Sequence, residues 1–194
     1  MTMNGKLIVI TGLDGSGTTS IAEAMCKTDP RGRLLHTPND PYICGREKID
    51  GVVRLTSQAA HYFYYLSACI YASACIEKLL INHNVYCVRY LLDTVVSHRV
   101  AGLDVNLNYK TDLYSILEPD LTIFVTADEL KRQSRISARG KNQLDELLDY
   151  PEIRSAFQQE FQRFQNHFIT IDNSADGIMV AAQQAIDVVK RILV

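Results

Sequence analysis

The residues best suited to chemistry lie together near the N-terminus, in Gly12-Leu13-Asp14-Gly15-Ser16-Gly17-Thr18-Thr19. Glycines at 12, 15 and 17 let the backbone turn with its N–H groups facing inward, and a helix starting at Thr18 adds the partial positive charge of its N-terminus. Such a nest takes the phosphates of a nucleotide. The spacing is that of the phosphate-binding loop G-x-x-x-x-G-K-[ST], in which Thr19 gives its hydroxyl to the Mg²⁺ carried by ATP. Gly12, Asp14, Gly15, Ser16, Gly17 and Thr18 are then the nucleotide-binding residues.

Position 18 departs from that pattern. Threonine stands where a lysine normally brings a mobile positive charge to the β- and γ-phosphates. Loss of one such contact costs roughly 2.7–4 kcal/mol of transition-state stabilisation, by analogy with a single oxyanion donor. The glycine pattern by itself is compatible with three things: a turn that binds nothing, a loop that binds without chemistry, or a working site whose missing charge arrives from elsewhere.

A replacement lies further along. Lys131, Arg132, Arg135, Arg139 and Lys141 carry one sign of charge, with no acid between Glu129 and Asp145. Arg132, Arg135 and Arg139 are spaced three and four apart and share one helix face. A solvated helix face normally intersperses acids, so this cluster, ended by Gly140, reads as a lid closing on polyphosphate. Arginine suits the task because its planar fork pairs two phosphate oxygens at once. Arg139, with Arg135 or Lys141, is the source of the charge absent at Thr18.

These residues need a scaffold, and the chain is long enough for one domain. Its 194 residues are 47% hydrophobic and 22% charged, with 20 basic and 22 acidic residues giving a net charge of −2. That balance excludes disorder as the main theme and gives no basic surface for nucleic acid or anionic lipid. Five cysteines, Cys26, Cys44, Cys69, Cys75 and Cys87, form no C-x-x-C, so buried reduced thiols of a cytoplasmic protein are expected. No apolar signal-peptide segment opens the chain. Ala59–Cys75 lacks formal charge, but its tyrosines and histidine fit a buried helix and not a membrane span.

Apolar periodicity places strands at Leu7–Ile10, Arg33–His36, Val85–Val88, Leu121–Val125 and Phe168–Ile171. Helices are expected over Thr18–Lys27, Ser57–Asn82, Leu92–Gly102, Ala127–Ala138, Pro151–Asn166 and Asp176–Leu193, with Thr37–Pro41 a loop. Buried β-branched strands alternating with helices make one α/β domain with a parallel sheet. In such a sheet Arg89, directly after a strand, stands at the carboxyl end where ligands bind. The scattered histidines have no metal-ligand spacing.

Four segments in order, covering nearly the whole chain, resemble the thymidylate kinase family of P-loop nucleoside-monophosphate kinases. They are the glycine loop with its acidic Asp14, Val88-Arg89-Tyr90 in place of Asp-Arg-Tyr, Pro119-Asp120-Leu121-Thr122 before an apolar strand, and Ser137-Ala138-Arg139-Gly140 through Asp145. The resemblance implies a P-loop NTPase-type three-layer sandwich around a parallel five-stranded sheet, with a lid over about 137–149. It implies transfer of the ATP γ-phosphoryl to dTMP or a related nucleotide. Arg89 would bind the acceptor phosphate and Asp14 would stand between donor and acceptor, while Phe63, Tyr64 and Tyr71 either stack the acceptor base or simply pack the core. Homodimers are common in the family, which makes the Ala59–Cys75 helix a candidate interface.

The departures count as well. Val88 removes the motif's acid, for which Asp14 or Asp93 would have to compensate. Thr37-Pro38-Asn39-Asp40 stands where the family has Arg-Glu-Pro-Gly, and Ala68 falls where its base-reading arginine is expected. A kinase of another acceptor (a nucleoside or other alcohol) and a catalytically impaired nucleotide-binding regulatory protein therefore stay open on the sequence.

Overall fold

The computed structural model describes residues 3–141, 143–175 and 177–193, the side chains at 143–145 and 192–193 excepted. The elements run β1 (Leu7–Gly12), α1 (Thr18–Thr28), β2 (Gly32–His36), the short α2 (Arg46–Lys48) and α3 (Arg54–Thr56), α4 (Gln58–Leu79), β3 (Asn84–Val88) and α5 (Leu91–Val100). They continue with β4 (Leu121–Thr126), α6 (Glu129–Arg139), α7 (Gln143–Leu148), α8 (Pro151–Arg163), β5 (Ile169–Asp172) and α9 (Ile178–Leu193). Among the described residues the strands form one sheet in the order β2-β3-β1-β4-β5, and every pairing is parallel. The α/β expectation holds.

Strand period decides the layers. Leu7, Val9, Val85 and Cys87 face α4 and α5 through Leu66, Cys69, Ala72, Ile76 and Val95. Ile8, Ile10, Tyr86, Val88 and Ile123 face α1 and α9 through Ile21, Met25, Ala181 and Ala185. β1 is buried along its whole length, as expected of a central parallel strand. The edge strands β2 and β5 are buried only in part, because each has a neighbour on one side only.

Two segments differ from the expectation. Residues 42–56, between the predicted loop and α4, are almost wholly helical: a 3₁₀ turn at Tyr42–Gly45, α2, a π turn at Ile49–Val53, and α3. Gly45, Gly51 and the β-branched pair Val52-Val53 give this stretch poor intrinsic helicity. Tertiary bonds hold it instead: Tyr64 donates to the Tyr42 carbonyl, and Asp50 accepts from Tyr65 at 2.7 Å. In the predicted polar lid segment the chain forms α7, whose Leu148 is buried with Leu13 and Phe161. Of the lid over 137–149, residue 142 and the side chains at 143–145 lie outside the described residues, as does residue 176 at the expected start of the last helix.

The cysteines also differ in part. All are free thiols, but only Cys69 and Cys87 are buried, while Cys44 is exposed and Cys26 and Cys75 are intermediate. Burial pushes the Cys69 and Cys87 thiols up to about 12, so neither is a nucleophile at neutral pH. Among the described residues no helix is long and apolar enough to cross a membrane.

Candidate active site

Strand register brings the chemistry together. β1 and β3 are neighbours with Ile10 opposite Val88, so the residues just past their ends meet. Arg89 donates its backbone N–H to the Ile10 carbonyl at 3.0 Å, across the top of the sheet. It holds φ +64°, a left-handed conformation costing a non-glycine residue about 1–2 kcal/mol. Such strain persists where the surroundings impose it. Here its guanidinium is clamped between two carboxylates, Nη2 to Asp14 Oδ1 at 2.5 Å and Nη1 to Asp93 Oδ1 at 3.1 Å.

Asp93 is a hub on the first turn of α5. It accepts from the Thr11 hydroxyl at 2.6 Å and from the Tyr90 backbone N–H at 3.0 Å, besides Arg89. Burial pushes its carboxyl above the usual range, and Arg89, Thr11 and the Tyr90 amide only partly offset this. Burial opposes charge on Arg89 too, but Asp14 and Asp93 outweigh it and hold the guanidinium above its ordinary value. Arg89 keeps 28% of its side chain exposed, so the fork stays within reach of a ligand.

The glycine loop joins β1 to α1 as expected. Gly15 at φ +81° and Gly17 at φ +101° hold backbone that L side chains rarely adopt. A Cβ on Gly15 would meet the Arg132 carbonyl at 2.8 Å, so the loop packs against the base of α6. Gly17 caps α1 without a side-chain hydrogen bond, and no acid stands in its first turn, leaving its N–H groups for an anion. The Ser16 hydroxyl is buried with no partner. Thr18 is buried against the loop, its methyl 3.3 Å from where a Gly12 Cβ would stand, whereas Thr19 is exposed. Thr18 fills space in the loop and brings no charge to it.

The cations of α6, with Lys141 just beyond it, separate by their partners. Arg132 is 2% exposed and paired with Glu129 at 2.6 Å, a carboxylate that also takes Arg154 at 3.2 Å. Arg135 reaches the loop itself, donating to the carbonyls of Gly15 at 3.4 Å, Ser16 at 3.3 Å and Asn173 at 3.0 Å. Lys141 is bonded to Asp149 at 2.6 Å, which ties the two ends of the lid segment together. Arg139, the last residue of α6, is exposed. A groove of about 560 Å³ lies between Glu146, Asp149 and Tyr150 on one side and Asp50, Arg54 and Leu55 on the other.

Of the expected base-stacking residues, Tyr64 and Tyr71 both pack on Tyr42, with ring centroids 5.7 and 5.8 Å apart. Phe63 points outward and is 64% exposed. Ala68 is completely buried in α4, leaving no edge-reading side chain there. Val88 faces the α1–α9 layer, so an acid at that position would point into apolar packing. Asp93 and Asp14 are the carboxylates beside Arg89, and both are engaged by it.

Residues 10–185 match the sequence model of the thymidylate kinase family. The chain belongs to that family. A curated thymidylate kinase of Ligilactobacillus salivarius is 28% identical over 178 residues, covering 80% of this chain and 83% of the relative. Solved thymidylate kinases align with TM-scores of 0.74 for the Candida albicans protein (18% identity, 98% of this chain, 93% of that one) and 0.64 for the Ehrlichia chaffeensis protein (16%, 96% and 99%). A deoxyadenosine kinase from M. mycoides with bound dATP aligns at 0.64 and 19% identity, over 95% and 99% of the two chains. The family is that of ATP-dependent nucleoside-monophosphate phosphotransferases, with the P-loop kinase fold seen here.

The family's spacing made the loop and Arg89 legible, but two residues that bond to this cluster, Thr11 to Asp93 and Asn173 to Ser16, stayed hidden. Thr11 and Asn173 show no motif of their own. Asn173 is 1% exposed and donates to the Ser16 carbonyl at 2.7 Å, and its only sequence signal is its place just after the last strand.

Proposed function

We propose that this thymidylate kinase family protein moves the γ-phosphoryl of MgATP onto dTMP or a closely related deoxynucleotide. The observation that carries the reading is Arg89, held beside the glycine loop by Asp14 and Asp93 and still open to a ligand on one side. An anionic acceptor placed there completes a guanidinium whose fork is already oriented.

The residues present fit a bound nucleotide. The N-terminus of α1 has no capping side chain, the Ser16 hydroxyl is an orphaned buried group, and the glycines allow a close-packed turn in which any Cβ would collide with neighbouring protein atoms. Thr19 and the nucleotide's phosphates would hold Mg²⁺, which supplies neutralisation of phosphate charge when bound. The protein's own part is positioning. The loop amides bind the donor phosphates, Asp14 and Asp93 aim Arg89 at the acceptor phosphate, and Arg139 brings the charge that Thr18 lacks. Stacking on the tyrosine cluster orients the base. With Ala68 in place of an edge reader, base discrimination rests on shape and stacking, so dTMP and dUMP should be separated weakly.

The test is phosphorylation of a panel of deoxynucleoside monophosphates and free nucleosides with MgATP. Turnover of dTMP with none of thymidine is expected, whereas acceptance of nucleosides alone overturns the assignment. In the same assay Arg139→Ala should lower kcat by about 10²-fold or more, in line with the roughly 2.7–4 kcal/mol of one transition-state donor. A kcat within twofold of wild type removes Arg139 from the mechanism.

A further inference from the structure

The inference rests on the reading of residues 12–19 as the phosphate loop, and it concerns what holds that loop in its binding shape. In a usual loop of this type a lysine at position 18 reaches the β- and γ-phosphates, and Thr18 does not have that reach. The brace here comes from outside the loop. Asn173, the residue after β5, is anchored by its own N–H to the Thr126 carbonyl at 2.8 Å. Its Nδ2 donates to the Ser16 carbonyl at 2.7 Å, and its carbonyl accepts from Arg135 at 3.0 Å. Arg135 in turn bonds the same Ser16 carbonyl at 3.3 Å and that of Gly15 at 3.4 Å. Two strands and the lid helix therefore converge on one peptide group.

The consequence follows from peptide geometry. In a planar trans peptide the C=O and the next N–H point in opposite directions. Holding the Ser16 carbonyl outward thus turns the Gly17 N–H inward, toward the phosphate nest. Without a hold this peptide would flip readily, because Gly17 at φ +101° has glycine's conformational freedom. The approach is so close that a Cβ on Gly17 would collide with the Asn173 amide, so Gly17 serves the clasp as well as the turn.

We infer that Asn173 is a positioning residue for catalysis: with Arg135 it locks the 16–17 peptide so that the loop presents its N–H groups to the donor phosphates. Asn173 touches no reacting atom and acts through the loop. The lid helix therefore acts on the donor site in two ways, by the charge at its end and by the brace at its middle.

The experiment reads the free protein first. Amide exchange of the 12–19 loop, followed at the Ser16 N–H that is bonded to Leu13 O, should speed up about tenfold in Asn173→Ala, the loss expected when one buried hydrogen bond goes. Arg135→Gln should speed it as well. Steady-state kinetics should then show KM for MgATP raised about tenfold while KM for the acceptor monophosphate stays within twofold, a split that general destabilisation does not produce. Asn173→Asp keeps the shape but lacks the donor, and should resemble Asn173→Ala. Unchanged exchange in both Asn173→Ala and Arg135→Gln overturns the inference whether or not the protein binds ATP; should Asn173→Ala fail to fold, Arg135→Gln decides alone. Absence of ATP binding by the wild type, with exchange responding as stated, would instead sink the proposed function and leave the clasp standing.

Discussion

Arg89→Ala is expected to lower kcat/KM for the acceptor monophosphate by about 10²–10³-fold, since one charged donor to a transferring phosphoryl centre is worth roughly 2.7–4 kcal/mol. Structure adds a second effect. The guanidinium separates Asp14 from Asp93, so its removal leaves two carboxylates facing one another, Asp93 already pushed upward by burial. Asp93 then takes up a proton more readily, and its bonds to Thr11 and Tyr90 weaken. A stability loss of about 1–3 kcal/mol is expected, below the range for a fully buried pair because Arg89 is partly exposed. Arg89→Lys separates the two effects: it keeps the charge and most of the stability, but it loses the fork and at least tenfold in rate. Acceptor kinetics beside urea unfolding of both variants is the measurement. An Arg89→Ala enzyme within threefold of wild-type kcat/KM would remove Arg89 from the acceptor site.

Mild acid is expected to destabilise the protein through a buried relay between residues 46–50, α4 and α5. His98 Nδ1 lies 2.7 Å from the Thr94 carbonyl, which only accepts, so this nitrogen is assigned the proton. Its Nε2 lies 2.7 Å from His61 Nδ1, and His61 Nε2 lies 3.0 Å from Asp50 Oδ1. Asp50 also receives Tyr65, and Arg46 closes the ring at 3.2 Å, so the chain ties residues 46–50 to α4 and α5. Burial drives His98 down from its ordinary 6.5 to about 4, and the neighbouring His61 adds to this, while the Thr94 carbonyl and Asp50 oppose it.

The sign follows. Between those values the unfolded chain binds a proton at His98 and the folded chain does not, so stability is full above about pH 6.5 and falls as pH drops toward 4. A gap of that size corresponds to roughly 3 kcal/mol. Burial raises Asp50, but its bonds from His61 and Tyr65 and the charge of Arg46 prevail and hold it below the ordinary carboxylate value of 3.8. Its contribution is therefore retained until more acid conditions and lost as pH falls through its lowered value. Urea midpoints between pH 7 and 4.5 should decline steeply in wild type and more gently in His98→Asn, which keeps a donor toward Thr94 but cannot take up the proton. Parallel declines would refute the assignment to His98.

Some of this molecule follows from one-dimensional pattern alone. Leu7–Ile10, Val85–Val88 and Leu121–Val125 announce central strands because burial on both faces forbids polar residues there. Gly15 and Gly17 announce a turn because few other residues tolerate its backbone angles. Arg89 could be assigned to the ligand-bearing end because it follows a buried strand. Each of these signals is local: the physics that demands the residue acts within a few positions along the chain.

Where contacts span the chain, pattern was silent. The helical turns over 42–56 carry weak intrinsic helicity and form because Asp50 and Tyr42 find partners in α4. The single-sign run of the lid gave no hint that Arg132 would be buried, Arg135 drawn to backbone carbonyls and Lys141 paired with Asp149. Asn173 meets Ser16 only because β5 and β1 flank β4 and their carboxyl ends converge. Residue types and their spacing thus determined that a parallel α/β domain with a glycine-rich turn after its first strand would form, and carried its resemblance to the thymidylate kinase family. Which cation braces the loop, and which pairs with an acid, was decided by folding, because a side chain's partner depends on distances that no spacing along the chain encodes.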